Sequence, residues 1–175
     1  MIVRLLIDRG PRSYILPHFW QWGVSKIFNI KVKMIGKPHT DEQMLYISNH
    51  ISYLDIPAIG SILRASFVAK EDLATWPVFG YFSKMQQTAF ISRNPAHAEK
   101  EKNSLGNMLK EGKSLIIFPE GTSTDGQNVL PFKSSLFALA LNNPTGHSLP
   151  IQPISVKILE IENEPVETQT QRDLY

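Results

Sequence analysis

The segment QMLYISNHISYLDIPAIGSILRASFVA, residues 43–69, has the pattern of a strand, a helix and a second strand in succession. Residues 43–48 and 66–69 are short apolar runs typical of buried strands, and Ile56–Leu63 has the length of a short helix. Two neighbouring strands joined through a helix run parallel in a sheet. The segment therefore predicts an α/β fold.

The same alternation continues on both sides of this segment. It predicts strands at 29–36, 88–92, 114–118 and 151–159, and helices at 14–30, 77–85, 95–110 and 132–141. Gly112 is a typical cap after the 95–110 helix. A chain of 175 residues has room for one domain. We expect a single domain with a mixed or mostly parallel central sheet flanked by helices.

His50 and Asp55 are two titratable residues inside this apolar region. On a regular helix their spacing would separate the side chains by about 140°. They can meet only if His50 lies in the loop before the helix and Asp55 in its first turn, which Pro57 favours. Asp55 would then accept the Nδ1 proton and leave Nε2 free as a base. The alternative is a turn with a satisfied histidine and a capping aspartate, and this stretch alone leaves both open.

Two further stretches place polar groups at strand ends. FPEGTSTDG, residues 118–126, follows the predicted strand at 114–118 and supplies a carboxylate, glycines and hydroxyl groups. Ligands of open α/β sheets usually bind at the carboxyl ends of the strands. Arg93 directly follows the strand at 88–92, where its guanidinium could bind a phosphate in bidentate fashion. Taken singly, the first stretch is equally well a turn and Arg93 a solvated surface residue.

Together these stretches resemble the motifs of the glycerolipid acyltransferase family. NHISYLD, AFISR, FPEGTS and LPIQPISV occur in the order and spacing of that family, which includes 1-acyl-glycerol-3-phosphate acyltransferases. The similarity covers roughly residues 30–159. Gln87 stands where many members have glycine, and Ser92 where an aspartate often precedes the arginine. The stretches QQTAFISR and FPEGTSTDG…VLPFKSSLF look closer to bacterial members that include lyso-ornithine lipid acyltransferases, whose acceptors carry no phosphate.

The resemblance implies a reaction and a role for each motif residue. An acyl chain would pass from acyl-CoA or acyl-carrier protein to the free hydroxyl of 1-acyl-glycerol-3-phosphate, giving phosphatidic acid in phospholipid synthesis. His50 would be the base and Asp55 its orienting partner. Arg93, Glu120, Gly121 and Thr122 match positions linked to acceptor and phosphate binding. No metal and no bound cofactor are expected.

Two other functions remain open at this point. One keeps the chemistry but uses lyso-ornithine lipid or another lyso-lipid as the acceptor. The other is an inactive lipid-binding remnant, suggested by the short stretch after the fourth motif. A serine hydrolase is disfavoured because the chain has no G-x-S-x-G sequence. Without cysteine the chain also has no thiol nucleophile and no disulfide.

Charge is unevenly distributed along the chain. The net charge is +2, yet residues 1–37 hold seven basic residues and one acid, so that segment is +6 and the remainder −4. A basic segment suits an anionic membrane surface or a nucleic acid, but no nucleic-acid motif accompanies it. The 14–30 helix has a polar stripe and two tryptophans, which favour a position in a membrane interface. A helix packed in the protein core is the alternative.

These observations predict three regions and a location. Residues 1–37 would form a basic membrane-interface segment with an amphipathic helix, 38–159 the acyltransferase domain, and 160–175 a polar tail. The apolar run in 14–30 is too broken to span a bilayer, which takes about 20 mostly apolar residues. We expect a peripheral or monotopic protein on the cytoplasmic face of the inner membrane, with a lyso-lipid and an acyl thioester as its partners.

Overall fold

A five-stranded parallel sheet forms the centre of the protein. The computed structural model describes residues 14–75, 86–91, 98–126, 128–134, 136–137 and 146–166. The strands are β1 (Leu45–Ser48), β2 (Ser66–Lys70), β3 (Ala89–Ile91), β4 (Leu115–Ile117) and β5 (Ile151–Ile154). Their order across the sheet is β3-β2-β4-β1-β5, and all four pairings are parallel. The α/β class predicted from the sequence is confirmed.

Three α-helices flank the sheet among the described residues. They are α1 (Ile15–Ile27), α2 (Asp55–Gly60) and α3 (Ala98–Lys110), and a 3₁₀ helix, Glu71–Thr75, follows β2. Gly112, with φ +75°, follows the end of α3, and its N–H donates to the carbonyl of Leu109. This left-handed position suits glycine and confirms the predicted cap.

The core lies on both faces of the sheet because successive side chains of a strand point to opposite sides. On one face Leu45, Ile47, Leu115 and Ile117 pack with Leu105 and Leu109 of α3. On the other face the core contains side chains from the strands and from α2 with the turn after it: Tyr46, Phe67, Ile116, Ile59 and Leu63. Strands covered on both faces read as continuous apolar runs, which is why this sequence predicts them well.

Two of the predicted strands differ from the structure. No strand forms at 29–36; α1 ends near Phe28, and Asn29 takes a left-handed φ of 52°. The alternating Val32 and Met34 are both exposed, because this segment pairs with no sheet edge. The strand predicted over 151–159 ends at Ile154, and a hairpin of β6 (Glu160–Ile161) and β7 (Glu164–Pro165) follows.

Two predicted helices fall largely or wholly beyond what the structure describes. The helix expected at 77–85 lies outside the described residues. For the helix expected at 132–141, only 132–134 and 136–137 are described, and of these 134, 136 and 137 are helical. Both remain predictions from the sequence.

Helix α1 packs on α2 through its polar side. Ser25 Oγ donates to the carbonyl of Pro57 at 3.0 Å, and His18 Nδ1 lies 3.1 Å from the carbonyl of Gly60. Gln21 and Ser25 are the buried residues of α1. Gln21 lies directly over Gly60, where a Cβ would be 2.7 Å from its Cγ. The polar stripe seen in the sequence therefore faces the protein.

The apolar side of α1 faces outward. Phe19 is 63% exposed and Ile27 80% exposed, and Trp20, Trp22 and Phe28 are exposed as well. Lys26 places its ammonium 5.7 Å from the centre of the Trp22 ring. The structure therefore differs from the alternative in which the apolar face of this helix packs in the protein core. No helix in the described ranges combines the length and the apolar character needed to cross a membrane.

The contact between α1 and α2 gives a stability prediction. Gly60→Ala should destabilise the fold by about 1–3 kcal/mol, because the new methyl group would crowd Gln21 at 2.7–3.2 Å. Gly23→Ala is the matched control: no atom lies within 4 Å of a Cβ there. It should stabilise the fold by about 0.5–1 kcal/mol, since alanine favours a helix interior. Chemical unfolding of both variants measures the difference, and equal stabilities would contradict this packing.

Candidate active site

The site forms where the central strands β1 and β4 end side by side. Leu45 pairs with Leu115 and Ile47 with Ile117 in parallel register, so the loops that follow both strands leave the same edge of the sheet. His50 lies in the first loop and Glu120 in the second. This is the carboxyl edge, where ligands of open α/β sheets bind. The register therefore brings together two motifs that are 70 residues apart in the sequence.

His50 and Asp55 are in direct contact. His50 Nδ1 lies 2.8 Å from Asp55 Oδ2. His50 is in the loop before α2 and Asp55 is the first residue of that helix, the arrangement that the spacing required. The same Oδ2 accepts the backbone N–H groups of Ile51 at 2.7 Å and Ser52 at 3.1 Å. One carboxylate oxygen thus holds both the loop and the imidazole.

These contacts determine which imidazole nitrogen carries the proton. Asp55 is 3% exposed, and its Oδ2 already accepts two N–H groups, as an ionised carboxylate does. Nδ1 of a neutral His50 must then be the donor to Oδ2, which leaves the Nε2 lone pair free. The side chain of His50 is 14% exposed. The arrangement can accept a proton from a hydroxyl group at Nε2.

Aromatic rings fix the plane of the imidazole. The Phe118 ring is stacked on His50, with centroids 4.2 Å apart and an angle of 20° between the planes. Tyr53 meets the same ring edge-on at 6.4 Å and 88°. Phe118 directly follows β4 and is the first residue of the FPEGTS motif, so its stacking follows from the parallel pairing of β1 and β4. Sequence reasoning did not find this contact, since it depends on the register between distant strands.

Glu120 connects three segments around the site. It is 4% exposed, and its Oε1 accepts the N–H of His50 at 3.2 Å while Oε2 accepts the N–H of Leu130 at 2.9 Å. The carbonyl of His50 in turn accepts the N–H of Thr124 at 2.9 Å. The loop after β4 therefore binds both the N–H and the carbonyl of His50. Both carboxylate oxygens of Glu120 are engaged by backbone donors.

Of the other predicted site residues, the structure describes Gly121 and Thr122 but not Arg93. Gly121 has φ +70°, a left-handed value that favours glycine, and Thr122 is exposed on the same loop. Arg93 lies outside the described residues, so its part in the site stays a prediction. Asn49 was not singled out from the sequence. Its side-chain amide pairs with the backbone of Val156 at 2.7 and 3.0 Å and ties the first motif to the segment after β5.

Comparison with known proteins gives related sequences along most of the chain. The family model described as Acyltransferase matches residues 29–157. A lyso-ornithine lipid O-acyltransferase from Rhizobium meliloti is 31% identical over 170 residues, covering 94% of this chain and 58% of that protein. The enzyme of the same name from Brucella abortus is 33% identical over 145 residues, covering 81% and 54%.

A second group of relatives has a different acceptor in its name. A 1-acyl-sn-glycerol-3-phosphate acyltransferase from Neisseria gonorrhoeae is 33% identical over 111 residues, covering 62% of this chain and 44% of that protein. The chain spans about half the length of the curated relatives it matches.

A solved structure shares the fold. The 1-acyl-sn-glycerophosphate acyltransferase PlsC from Thermotoga maritima has a TM-score of 0.62 to this chain, over 93% of this chain and 75% of that one, at 21% identity. With the family model matching residues 29–157 and relatives above 30% identity over most of its length, the chain belongs to the Acyltransferase family, as the four motifs indicated.

Proposed function

We propose that the protein transfers an acyl chain from an acyl thioester to the free hydroxyl of a lyso-lipid. The observation that carries this proposal is the contact between His50 and Asp55, which leaves Nε2 of a partly exposed, oriented imidazole available as a base. Family membership supports the reaction class. The intact pair also favours an active enzyme over an inactive lipid-binding remnant. Acyl-CoA or acyl-carrier protein is the proposed donor.

The proposed reaction proceeds by direct transfer. His50 Nε2 removes the proton of the acceptor hydroxyl as its oxygen attacks the thioester carbonyl. The tetrahedral intermediate then collapses: the new C–O ester bond is complete, the C–S bond breaks, and the thiolate takes the proton from His50. Asp55 holds the ring and stabilises its positive charge while the proton is on it. Glu120 serves as a positioning residue, because its two oxygens bind backbone N–H groups.

The identity of the acceptor lipid is the more specific part of the proposal. The motifs resemble enzymes that make phosphatidic acid, and relatives of that name match the chain. The relatives that cover more of the chain are named lyso-ornithine lipid O-acyltransferases. Lyso-ornithine lipid is therefore the acceptor we favour, with 1-acyl-glycerol-3-phosphate as the second candidate. Arg93 would bind a phosphate only with the second.

The membrane is the proposed source of the acceptor. The outward apolar side of α1 would lie in the lipid interface, and the basic residues of 1–37 would attract anionic head groups at about 1 kcal/mol each when close to the surface. A cleft of about 250 Å³ beside α1 is lined by Ile15, His18, Phe19, Trp22 and Arg64. This side of the protein combines aromatic rings with cations. We place the enzyme peripherally on the cytoplasmic face of the inner membrane.

The first prediction concerns the catalytic pair. His50→Ala should lower kcat about 10²–10⁴-fold, because the general base is lost. Asp55→Asn should lower it by an equal or smaller factor, since an amide at that position disturbs the tautomer and the orientation of the ring. Purified variants are assayed for transfer, and circular dichroism confirms that each is folded. Turnover by folded His50→Ala close to that of the parent protein would rule out the mechanism.

The second prediction concerns the acceptor. Given a panel of lyso-lipids with acyl-CoA and acyl-carrier protein as donors, the enzyme should show its highest kcat/KM with lyso-ornithine lipid. A preference for 1-acyl-glycerol-3-phosphate would select the second candidate. No transfer to any member of the panel by the folded, full-length protein would refute the proposed activity.

The third prediction concerns membrane binding. Phe19→Ser combined with Trp22→Ser should abolish most vesicle binding that persists at high salt, because both exposed rings would lose their lipid contact. Binding of the parent protein should weaken with salt without vanishing, since charge attraction is screened within a Debye length of about 8 Å at physiological ionic strength.

Leu159→Ser is the control for that experiment. This leucine is also exposed but lies far from α1 in the sequence, next to the β6–β7 hairpin, and its replacement should leave binding unchanged. Sedimentation with anionic and neutral vesicles measures binding, and melting curves check the fold. Full vesicle binding by the folded double variant would disprove the role of α1.

A further inference from the structure

A short segment lies across the candidate site and carries a lysine. The N–H of Leu130 donates to Glu120 Oε2 at 2.9 Å, and the N–H of Lys133 donates to the carbonyl of Pro119 at 2.9 Å. Glu120 itself holds the N–H of His50. Residues 130–133 are therefore attached to the same loop that positions the imidazole. The backbone of Lys133 has a defined place relative to His50.

The side chain of Lys133 folds back over that loop. A Cβ placed on Gly121 would lie 2.8 Å from Lys133 Cε and 3.2 Å from its Cδ, and closer still to Nζ. The ammonium group therefore occupies the space that a side chain at position 121 would need. Gly121 also has φ +70°. The left-handed backbone favours glycine there, and the absence of a side chain leaves room for the lysine that covers it.

This lysine has no protein partner among the residues that the structure describes. The ion pairs found there join His39 to Glu42, His50 to Asp55, and Lys113 to Glu111. The carboxylate of the same loop, Glu120, has both oxygens engaged by backbone N–H groups. An exposed lysine without a partner usually extends into solvent. Here its ammonium instead lies against the loop of the candidate site.

An ammonium group over the loop that positions His50 suits an anion on the lipid whose hydroxyl His50 would deprotonate. A phosphate monoester on the carbon next to the hydroxyl-bearing one gives such an anion. An ornithine acylated on its α-amine keeps an α-carboxylate a few bonds from the hydroxyl of its acyl chain. Both candidate acceptors thus carry an anionic group close to the reacting oxygen. Lysine binds either group as a point charge, without a bidentate geometry.

We propose that Lys133 binds the anionic group of the acceptor and so places its hydroxyl at His50 Nε2. This role rests on the proposed function. It adds a cation that none of the four sequence motifs contains. Gly121, which the sequence assigned to acceptor binding, then acts by leaving room for the ammonium group. Gly121 and Lys133 therefore act together, since the missing side chain of one makes the space that the other fills.

Lys133→Met tests the role of the charge. Methionine keeps an unbranched apolar chain over Gly121 and removes only the ammonium group. The KM for an anionic acceptor should rise about tenfold, the size expected for one partly exposed charge-assisted hydrogen bond. The KM for the thioester should change less than about twofold. Lys110→Met, at the exposed end of α3, is the matched control and should leave both constants unchanged.

Acceptors that lack the anionic group separate binding of the anion from a structural role. The assay pairs 1-acyl-glycerol-3-phosphate with monoacylglycerol, and lyso-ornithine lipid with its carboxyl methyl ester, which keeps the side-chain ammonium and loses only the carboxylate charge. Lys133→Met should lose the discrimination within each pair while turning over the member without the anion as the parent protein does. An equal loss with both members of a pair would refute the proposal, as would a rise confined to the thioester KM.

Direct binding distinguishes failure of this proposal from failure of the proposed function. Isothermal titration with a short-chain, monomeric anionic lyso-lipid needs no turnover. Weaker binding by Lys133→Met than by the parent and Lys110→Met proteins supports the role of the lysine even if no transfer is found. Equal binding by all three, or no binding by the parent protein, overturns it.

Discussion

The three hydrogen bonds received by Asp55 Oδ2 are the interaction on which the site depends. One buried oxygen accepts from the imidazole of His50 and from the N–H groups of Ile51 and Ser52. The carboxylate therefore shapes the loop and orients the ring at the same time. A carboxylate with three donors needs no other partner, which is how a charged group can be buried at the start of a helix. Replacing it would disturb the backbone as well as the imidazole.

The second organising feature is the pairing of β1 with β4. Because these strands are parallel neighbours, the histidine loop and the glutamate loop leave the sheet together, and the Glu120 carboxylate and the N–H of Thr124 bind the backbone of His50. Both oxygens of Glu120 accept backbone N–H groups, one from His50 and one from Leu130. The acid of the FPEGTS motif thereby connects the His50 loop with the segment that leads to Lys133. Its predicted part in acceptor binding stays a prediction.

The sequence predicted the fold class from local patterns, whereas the contact between His50 and Asp55 was one of two interpretations of the local spacing until the resemblance of the four motifs favoured it. Buried parallel strands are continuous apolar runs, and the five-residue spacing allows only one way for the two side chains to meet. The order and register of the strands depend on contacts between distant residues, so the stacking of Phe118 on His50 could not be predicted. The false strand at 29–36 shows the limit of alternation: a strand forms only where its backbone pairs with another strand, and this segment pairs with none in the described sheet.

Helix α2 is only six residues long, and its two ends have different attachments. Asp55 is its first residue. The carbonyl groups of Pro57 and Gly60 accept the hydrogen bonds that attach α1 to it. At 1.5 Å per residue this helix spans about 9 Å. If α1 rests on a bilayer as proposed, this short helix, together with the His50 loop that Asp55 holds, sets the height of the imidazole above the lipid plane. A height set in this way would restrict the enzyme to acceptors whose hydroxyl group rises to that one depth, whatever the length of their acyl chain.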